Sequence, residues 1–358
     1  TVFYNDSGST SVAISGQLTS ANFPSGYTVS NITRVDIGNT VTSIGTDAFK
    51  NATNLSSVTF KAGSTVTSIG QSAFYNSGLT SIEIPKSVTG VGTQVFSDTS
   101  ALHTVTFEAD SSLTNIGNNM FNKSRLLTSI IIPKSVTSIG VNAFSSASAM
   151  TTVTFEADSS VTSIGQGAFY SSGLTSIEIP KSVTTIVKNA FRTNKLTSVT
   201  FEADSSLISI GNEAFRSSSL TTIAIPNTVT SIGYRSFHDS SLTTVTFEAD
   251  SSLISIENEA FRESGLASIE IPNSVTSIGS NAFYKSSLNT VSLTQNLTIS
   301  DVTYEIGTTV NFFGKDNVTI VRAIGWYLFG SSGQTWSSSR IAWGLNGYNI
   351  YQYIYNLN

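Results

Sequence analysis

Leu79-Thr80-Ser81-Ile82-Glu83-Ile84-Pro85-Lys86-Ser87-Val88-Thr89-Gly90-Val91-Gly92-Thr93-Gln94-Val95-Phe96 reads as one complete coil of a stacked fold. Apolar Leu79, Ile82 and Ile84 alternate with polar Ser81 and Glu83, the period-two pattern of a short strand with one buried and one exposed side. Pro85 removes a backbone donor and ends that strand. Val88 and Val91 give a second extended piece, and Gly92 is expected to supply a positive φ at the turn that follows. Val95-Phe96 then reads as one turn of helix that drops a large ring inward.

The closing motif Ser-Ile-Gly-x-x-Ala-Phe recurs, with its phenylalanine at 49, 74, 96, 121, 144, 169, 191, 215, 237, 261 and 283. Spacings of 22 to 25 residues mark a solenoid, because one such unit cannot bury its apolar side without neighbours above and below. The expected fold is β-rich, with about eleven coils, parallel strands roughly 4.8 Å apart and an interior phenylalanine column.

The coils alternate between two kinds. Proline coils carry Ile-Pro after the first strand, as at Ile179-Pro180 and Ile271-Pro272; glutamate coils carry Phe-Glu-Ala-Asp-Ser-Ser, as at 155–160 and 247–252. The duplicated unit is therefore about 47 residues. Asp110, Asp158, Asp204 and Asp250 recur only in every second coil, with Lys86, Lys134 and Lys181 between them and Asn227 and Asn273 replacing the bases later. This reads as a solvated acid and base edge with turn-forming aspartates. A calcium site in the Glu-Ala-Asp loops is the sharper alternative.

The pattern Leu-x-x-Ile-x-Ile-Pro-x-Ser-Val-x-x-Ile-Gly-x-x-Ala-Phe resembles the BspA-type leucine-rich repeat over residues 38–293. The resemblance implies a right-handed leucine-rich-repeat solenoid with a strand-lined face, found in surface proteins commonly linked to adhesion. Two departures stand out. Residues such as Ser77 and Ser172 occupy the place where the family often has cysteine. Val187 and Glu257 replace the turn glycine, which marks those coils as candidate irregularities.

Composition narrows the function. The net charge is −5 and only 11% of residues are charged, against roughly 25% in ordinary globular domains, so nucleic acid is a poor partner. With no cysteine there are neither disulfides nor thiolate metal sites, and no stretch reads as a membrane span. The chain begins at Thr1 without an initiator methionine, as a processed or trimmed N-terminus would. Asn5, Asn31, Asn51, Asn54, Asn122, Asn296 and Asn317 lie in Asn-x-Ser/Thr sequons and are candidate glycosylation acceptors, at about the number that a Ser/Thr-rich composition yields by chance. The only histidines, His103 and His238, have no partner at motif spacing. Residues for catalysis, cofactor binding or metal ligation are therefore not nominated, and the chain is read as a non-enzyme without a cofactor.

The outward strand positions form a column, Thr59, Glu83, Thr106, Ile131, Thr154, Glu178, Thr200, Ala224, Thr246, Glu270 and Ser292, beside a second column of Ser and Thr. Residues 1–37 read as an N-terminal β cap with a degenerate first coil, 38–293 as the solenoid, and 294–358 as a small aromatic-rich β region. In that last segment Trp326, Tyr327, Trp336, Trp343, Tyr348, Tyr351, Tyr353 and Tyr355 are the candidate interaction residues. The expectation is a rigid extracellular or particle-surface scaffold for adhesion to proteins or glycans. The alternatives are a self-assembling fibre subunit joined by C-terminal strand exchange, and a glycan- or calcium-dependent binder.

Overall fold

The computed structural model describes residues 1–288 in full. Beyond them it describes the backbone of strands Thr290–Leu293, Leu297–Ile299, Val302–Tyr304, Val310–Phe312 and Val318–Thr319. The chain divides into two compact units, Thr1–Leu196 with Phe201–Asp204, and Thr197–Thr200 with Ser205–Asn358. Each unit, over its described residues, is a parallel-strand β-solenoid whose coils have three walls: a four-residue strand, a two-residue strand and a turn.

In the first unit, Ser81–Ile84 pairs in parallel with Thr104–Phe107, and Ser129–Ile132 with Thr152–Phe155, residue for residue. The short strands Asn115–Ile116, Ser138–Ile139, Ser163–Ile164 and Thr185–Ile186 form a second ladder. In the second unit, Thr222–Ile225 pairs with Thr244–Phe247, and Ser209–Ile210, Ser231–Ile232, Ser255–Ile256 and Ser277–Ile278 repeat the short ladder. The expected ring column is present in each unit. Phe49, Phe74, Phe96, Phe121, Phe144, Phe169 and Phe191 stack at 5.2–5.5 Å between centroids in the first. Phe215, Phe237, Phe261 and Phe283 stack at 5.2–5.4 Å in the second. All are fully buried, so they are core.

The N-terminal end of the first unit is closed by a hairpin. Val2–Asn5 pairs antiparallel with Gly8–Ser11 on one side and with Arg34–Ile37 on the other. Phe3 is buried against Phe23 at 5.2 Å and Tyr27 at 6.2 Å, and Phe23 stacks on Phe49 at 5.4 Å. The exposed end of the ring column is thereby covered.

Three expectations need correction. The turn wall is not helical; among the described residues only Ser20–Asn22 forms a helical turn, of the 3₁₀ type. Instead, alternate turn residues donate to the next coil: Asp47 N–H to Gln71 O at 2.9 Å, Phe49 N–H to Ala73 O at 2.7 Å, Asn51 N–H to Tyr75 O at 2.8 Å. Between them Lys50 N–H closes back on Asp47 O at 3.2 Å, with Asp47 and Asn51 in the left-handed region at φ 55° and 62°. A helix would direct every donor along its own axis and leave none for the neighbouring coil.

The motif glycine also serves a different purpose. Positive φ belongs to residues such as Gln94 (58°) and Asn142 (52°), not to Gly92. A Cβ on Gly92 would lie 2.4 Å from Gln71 N and 2.8 Å from Gly70 C, so glycine permits close approach to the coil beneath. Thirdly, Val187 and Glu257 do not rebuild the turn. Val187 N–H reaches Ile164 O at 3.0 Å and Glu257 N–H reaches Ile232 O at 2.9 Å, the rung that Gly92 and Gly140 make at 2.8 Å to Ile69 and Ile116.

Candidate interaction surface

The long-strand wall presents the outward column that the alternation implies, because register places Asp36 beside Thr59, Glu83 beside Thr106, Ile131 beside Thr154 and Ala224 beside Thr246. Ile131 is 59% exposed. It lines a groove of about 260 Å³ with His103, Thr104, Thr106, Thr128, Ser129 and Glu156. His103 Nδ1 lies 2.9 Å from Thr104 Oγ1.

The neighbouring hydroxyls are less available than their number suggests. Ser56 Oγ donates to Thr33 O at 3.1 Å, Thr80 Oγ1 to Ser56 O at 3.2 Å, Thr175 Oγ1 to Thr151 O at 3.2 Å and Thr243 Oγ1 to Thr221 O at 3.1 Å. On the short-strand wall Thr114, Thr137, Thr162 and Thr184 repeat this at 3.0–3.2 Å. These protons point at the chain's own backbone, so the hydroxyls face outward mainly as acceptors.

The acid and base edge carries a set of bonds that its sequence reading did not include. Glu108, Glu156, Glu202 and Glu248 accept, through Oε2, the backbone N–H of Lys86, Lys134, Lys181 and Asn227 at 2.9–3.0 Å. The partner is the peptide group, which is why asparagine replaces lysine at 227 without loss of the bond. Asp110, Asp158, Asp204 and Asp250 sit at φ 57–59°, as turn-forming aspartates do. A second cleft, of about 680 Å³, lies between 245–251 and 270–274 and carries Glu248, Asp250 and Glu270. Among the described residues, three or more His, Cys, Asp or Glu side chains are nowhere grouped so as to hold a metal ion.

The column of Ser77 and Ser172, three residues after each ring phenylalanine, is Ala52 and Ala147 in two coils and mostly buried small polar residues elsewhere. Thr99 and Ser124 donate to Phe74 O and Phe96 O at 3.0 Å, and Ser240 and Ser264 to Phe237 O and Phe261 O at 2.7 Å. The buried hydroxyls of Ser77, Ser172 and Ser218 have no partner.

Sequence reasoning missed the charge network on the turn wall of the second unit. Glu259 bridges Arg235 at 3.0 Å and Arg262 at 2.9 Å, and Glu263 meets Lys285 at 3.5 Å. Burial pushes the Glu259 carboxyl up, but the two guanidinium hydrogen bonds outweigh it and hold it below the usual range. His238 is buried with Nε2 3.9 Å from Glu263, and burial, then Arg216, lowers its pKa. Glutamate and arginine three or more residues apart in adjacent turns were the available signal.

Of the sequon asparagines, Asn31 and Asn54 donate their amides to Gly26 O and Ser30 O at 2.7 Å. Asn5 accepts from Ser7 N–H at 2.9 Å, Asn51 is exposed, and Asn122 is partly buried. Asn296, Asn317 and the eight aromatic candidates, Trp326, Tyr327, Trp336, Trp343, Tyr348, Tyr351, Tyr353 and Tyr355, lie outside the described residues.

A solved leucine-rich repeat protein from Bacteroides ovatus ATCC 8483 is 23% identical over 79% of this chain and 82% of its own, with a TM-score of 0.51, a likeness of fold. A leucine rich cell surface protein from Faecalibacterium prausnitzii A2-165 is 29% identical over 78% and 82%, TM-score 0.39. A leucine-rich repeat protein from Eubacterium ventriosum ATCC 27560 is 22% identical over 77% and 90%, TM-score 0.40. No curated protein matches. The BspA type leucine rich repeat region matches residues 23–151, 148–254, 189–311 and 241–334, and with this coverage, the ring column and the strand register in place, the chain belongs to the BspA-type leucine-rich repeat family.

Proposed function

We propose that this chain is a non-catalytic scaffold displayed outside a cell or on a particle surface, whose solenoid, residues 38–293, offers its outward strand column to proteins. Residues 294–358, with their tryptophans and tyrosines, act in this reading as an attachment module.

The observation that carries the reading is where the repeated chemistry points. The side chains that recur along the stack, the phenylalanines in every coil, the loop glutamates in every second one and the wall threonines, contact adjacent coils. The outward position, threonine throughout the glutamate coils, changes among the proline coils, Glu83, Ile131, Glu178, Ala224 and Glu270, and there it faces solvent. Constant positions that hold a stack and changing positions that face outward suit recognition better than catalysis. No helix among the described residues is long and apolar enough to cross a membrane.

The test is staining of the source cells with an antibody raised against the full chain, before and after permeabilisation, paired with light scattering of the purified protein. Signal on intact cells from a monomeric protein supports the scaffold. Signal only after permeabilisation sinks the surface reading. Polymerisation that Tyr351→Ser, Tyr353→Ser and Tyr355→Ser together abolish moves the assignment to the fibre.

A further inference from the structure

The steps between coils are not equal. In the first unit Arg34–Ile37 pairs with Ser57–Phe60 over four residues, but Ser57–Phe60 meets Ser81–Ile84 only at Ser57 and Ser81. Ser81–Ile84 then pairs with Thr104–Phe107 over four residues, after which Thr104–Phe107 closes one sheet and Ser129–Ile132 opens another. Ser129–Ile132 pairs with Thr152–Phe155 over four residues, and the next step keeps one pair, Thr152 with Ser176. The second unit repeats the alternation with four, one and four.

Proline stands at each of these weaker steps and removes a rung there. Each glutamate coil donates one more rung downward, as Glu108 N–H does to Ile84 O and Glu156 N–H to Ile132 O, both at 3.0 Å. One coil up, the same register position is Pro85, Pro133, Pro180 or Pro272, which has no N–H. The loop glutamates strengthen the same favoured step, since Glu108 and Glu156 bond the coil below through Lys86 and Lys134 N–H. Both clefts, of about 680 and 260 Å³, lie at proline steps. At such a step the short strands remain paired, Ser68 with Gly90 and Ser163 with Thr185, which leaves a hinge line on the opposite wall.

We propose that the pair of coils, a proline coil clamped to the glutamate coil above it, is the unit in which each stack opens under load. The proline steps are seams that part on the long-strand wall while the clamped steps hold. In a repeat stack stability is set by nearest-neighbour interfaces, so interfaces that alternate in strength make blocks of two. The prolines at 85, 133, 180, 226 and 272 are 46 to 48 residues apart, which is the predicted block length.

Single-molecule stretching of the full chain from its two ends tests this. Blocks of two coils lengthen the chain in steps of about 160 Å, from roughly 3.4 Å per residue. Steps of about 80 Å, one coil each, or a single event without substeps, overturn the proposal. In the full chain carrying Pro133→Ala, which returns an N–H opposite Phe107, two steps should fuse into one about twice as long. An unchanged step pattern there removes proline as the cause.

Discussion

Gly92→Ala and Gly90→Ala, two residues apart, separate close approach from backbone freedom. A Cβ at Gly92 falls 2.4 Å from Gln71 N and 2.7 Å from Gln71 Cα, whereas a Cβ at Gly90 meets nothing within 4 Å. Neither glycine has a positive φ, so L-residues suit both backbones. Relieving the overlap at 92 requires the coils to part locally by about 1 Å, to ordinary van der Waals separation. That stretches the Gly92 N–H to Ile69 O bond, now 2.8 Å, past useful length. A lost rung costs about 1 kcal/mol and overpacking about 1–3 kcal/mol, for a total of about 2–4 kcal/mol. Val187 and Glu257 keep this rung at 3.0 and 2.9 Å, so where the neighbouring coils yield the rung survives and only the overpacking cost of about 1–3 kcal/mol is expected. Gly90→Ala should be neutral or stabilise by up to about 1 kcal/mol through the unfolded chain. Urea unfolding followed by far-UV circular dichroism is the assay, since all three tryptophans lie beyond residue 320. Equal effects of the two substitutions, within about 0.5 kcal/mol, would refute the close-approach argument.

Ser172→Ala removes a buried hydroxyl without a partner and should leave stability unchanged or raise it by up to about 1 kcal/mol, while Ser264→Ala, which loses the bond to Phe261 O, should cost about 1 kcal/mol; the same urea titrations compare them. Glu156→Ala should destabilise by about 1–2 kcal/mol and Glu156→Gln by less, because glutamine keeps an acceptor for Lys134 N–H; equal losses would show that charge, not the hydrogen bond, matters. His238 has a folded pKa below its ordinary 6.5, from burial and then Arg216, with Arg235 and Arg262 acting in the same sense and Glu263 against them. The folded state therefore binds fewer protons than the unfolded one, so this contribution is intact above pH 6.5 and is lost as pH falls below it. His238→Gln should flatten that part of the stability profile, and parallel wild-type and variant curves between about pH 7.5 and 5 would count against the assignment.

The solenoid, its two coil kinds and its core were all legible in one dimension. Period-two alternation at Ile82 and Ile84 and a phenylalanine every 22 to 25 residues leave few other ways to bury those side chains. Where the hydrogen-bond or close-contact partner of a group lies in another coil, local reading went astray. Gly92 looked like a flexible turn residue because its constraint is Gln71, one coil below; the Phe96 turn looked helical because its donors cross to the next coil. Lys86 and Asp110 read as opposite charges on an edge, whereas the structure bonds the Lys86 peptide N–H to Glu108, 22 positions away. Pro85 was legible as the end of a strand, but the seam it makes was not, since a missing rung exists only relative to the strand beneath. Sequence by itself determined what must be buried and at what period, because hydrophobic burial depends on composition and spacing. Only the tertiary structure decided where each hydrogen bond goes, because those bonds run between coils and their partners are set by register.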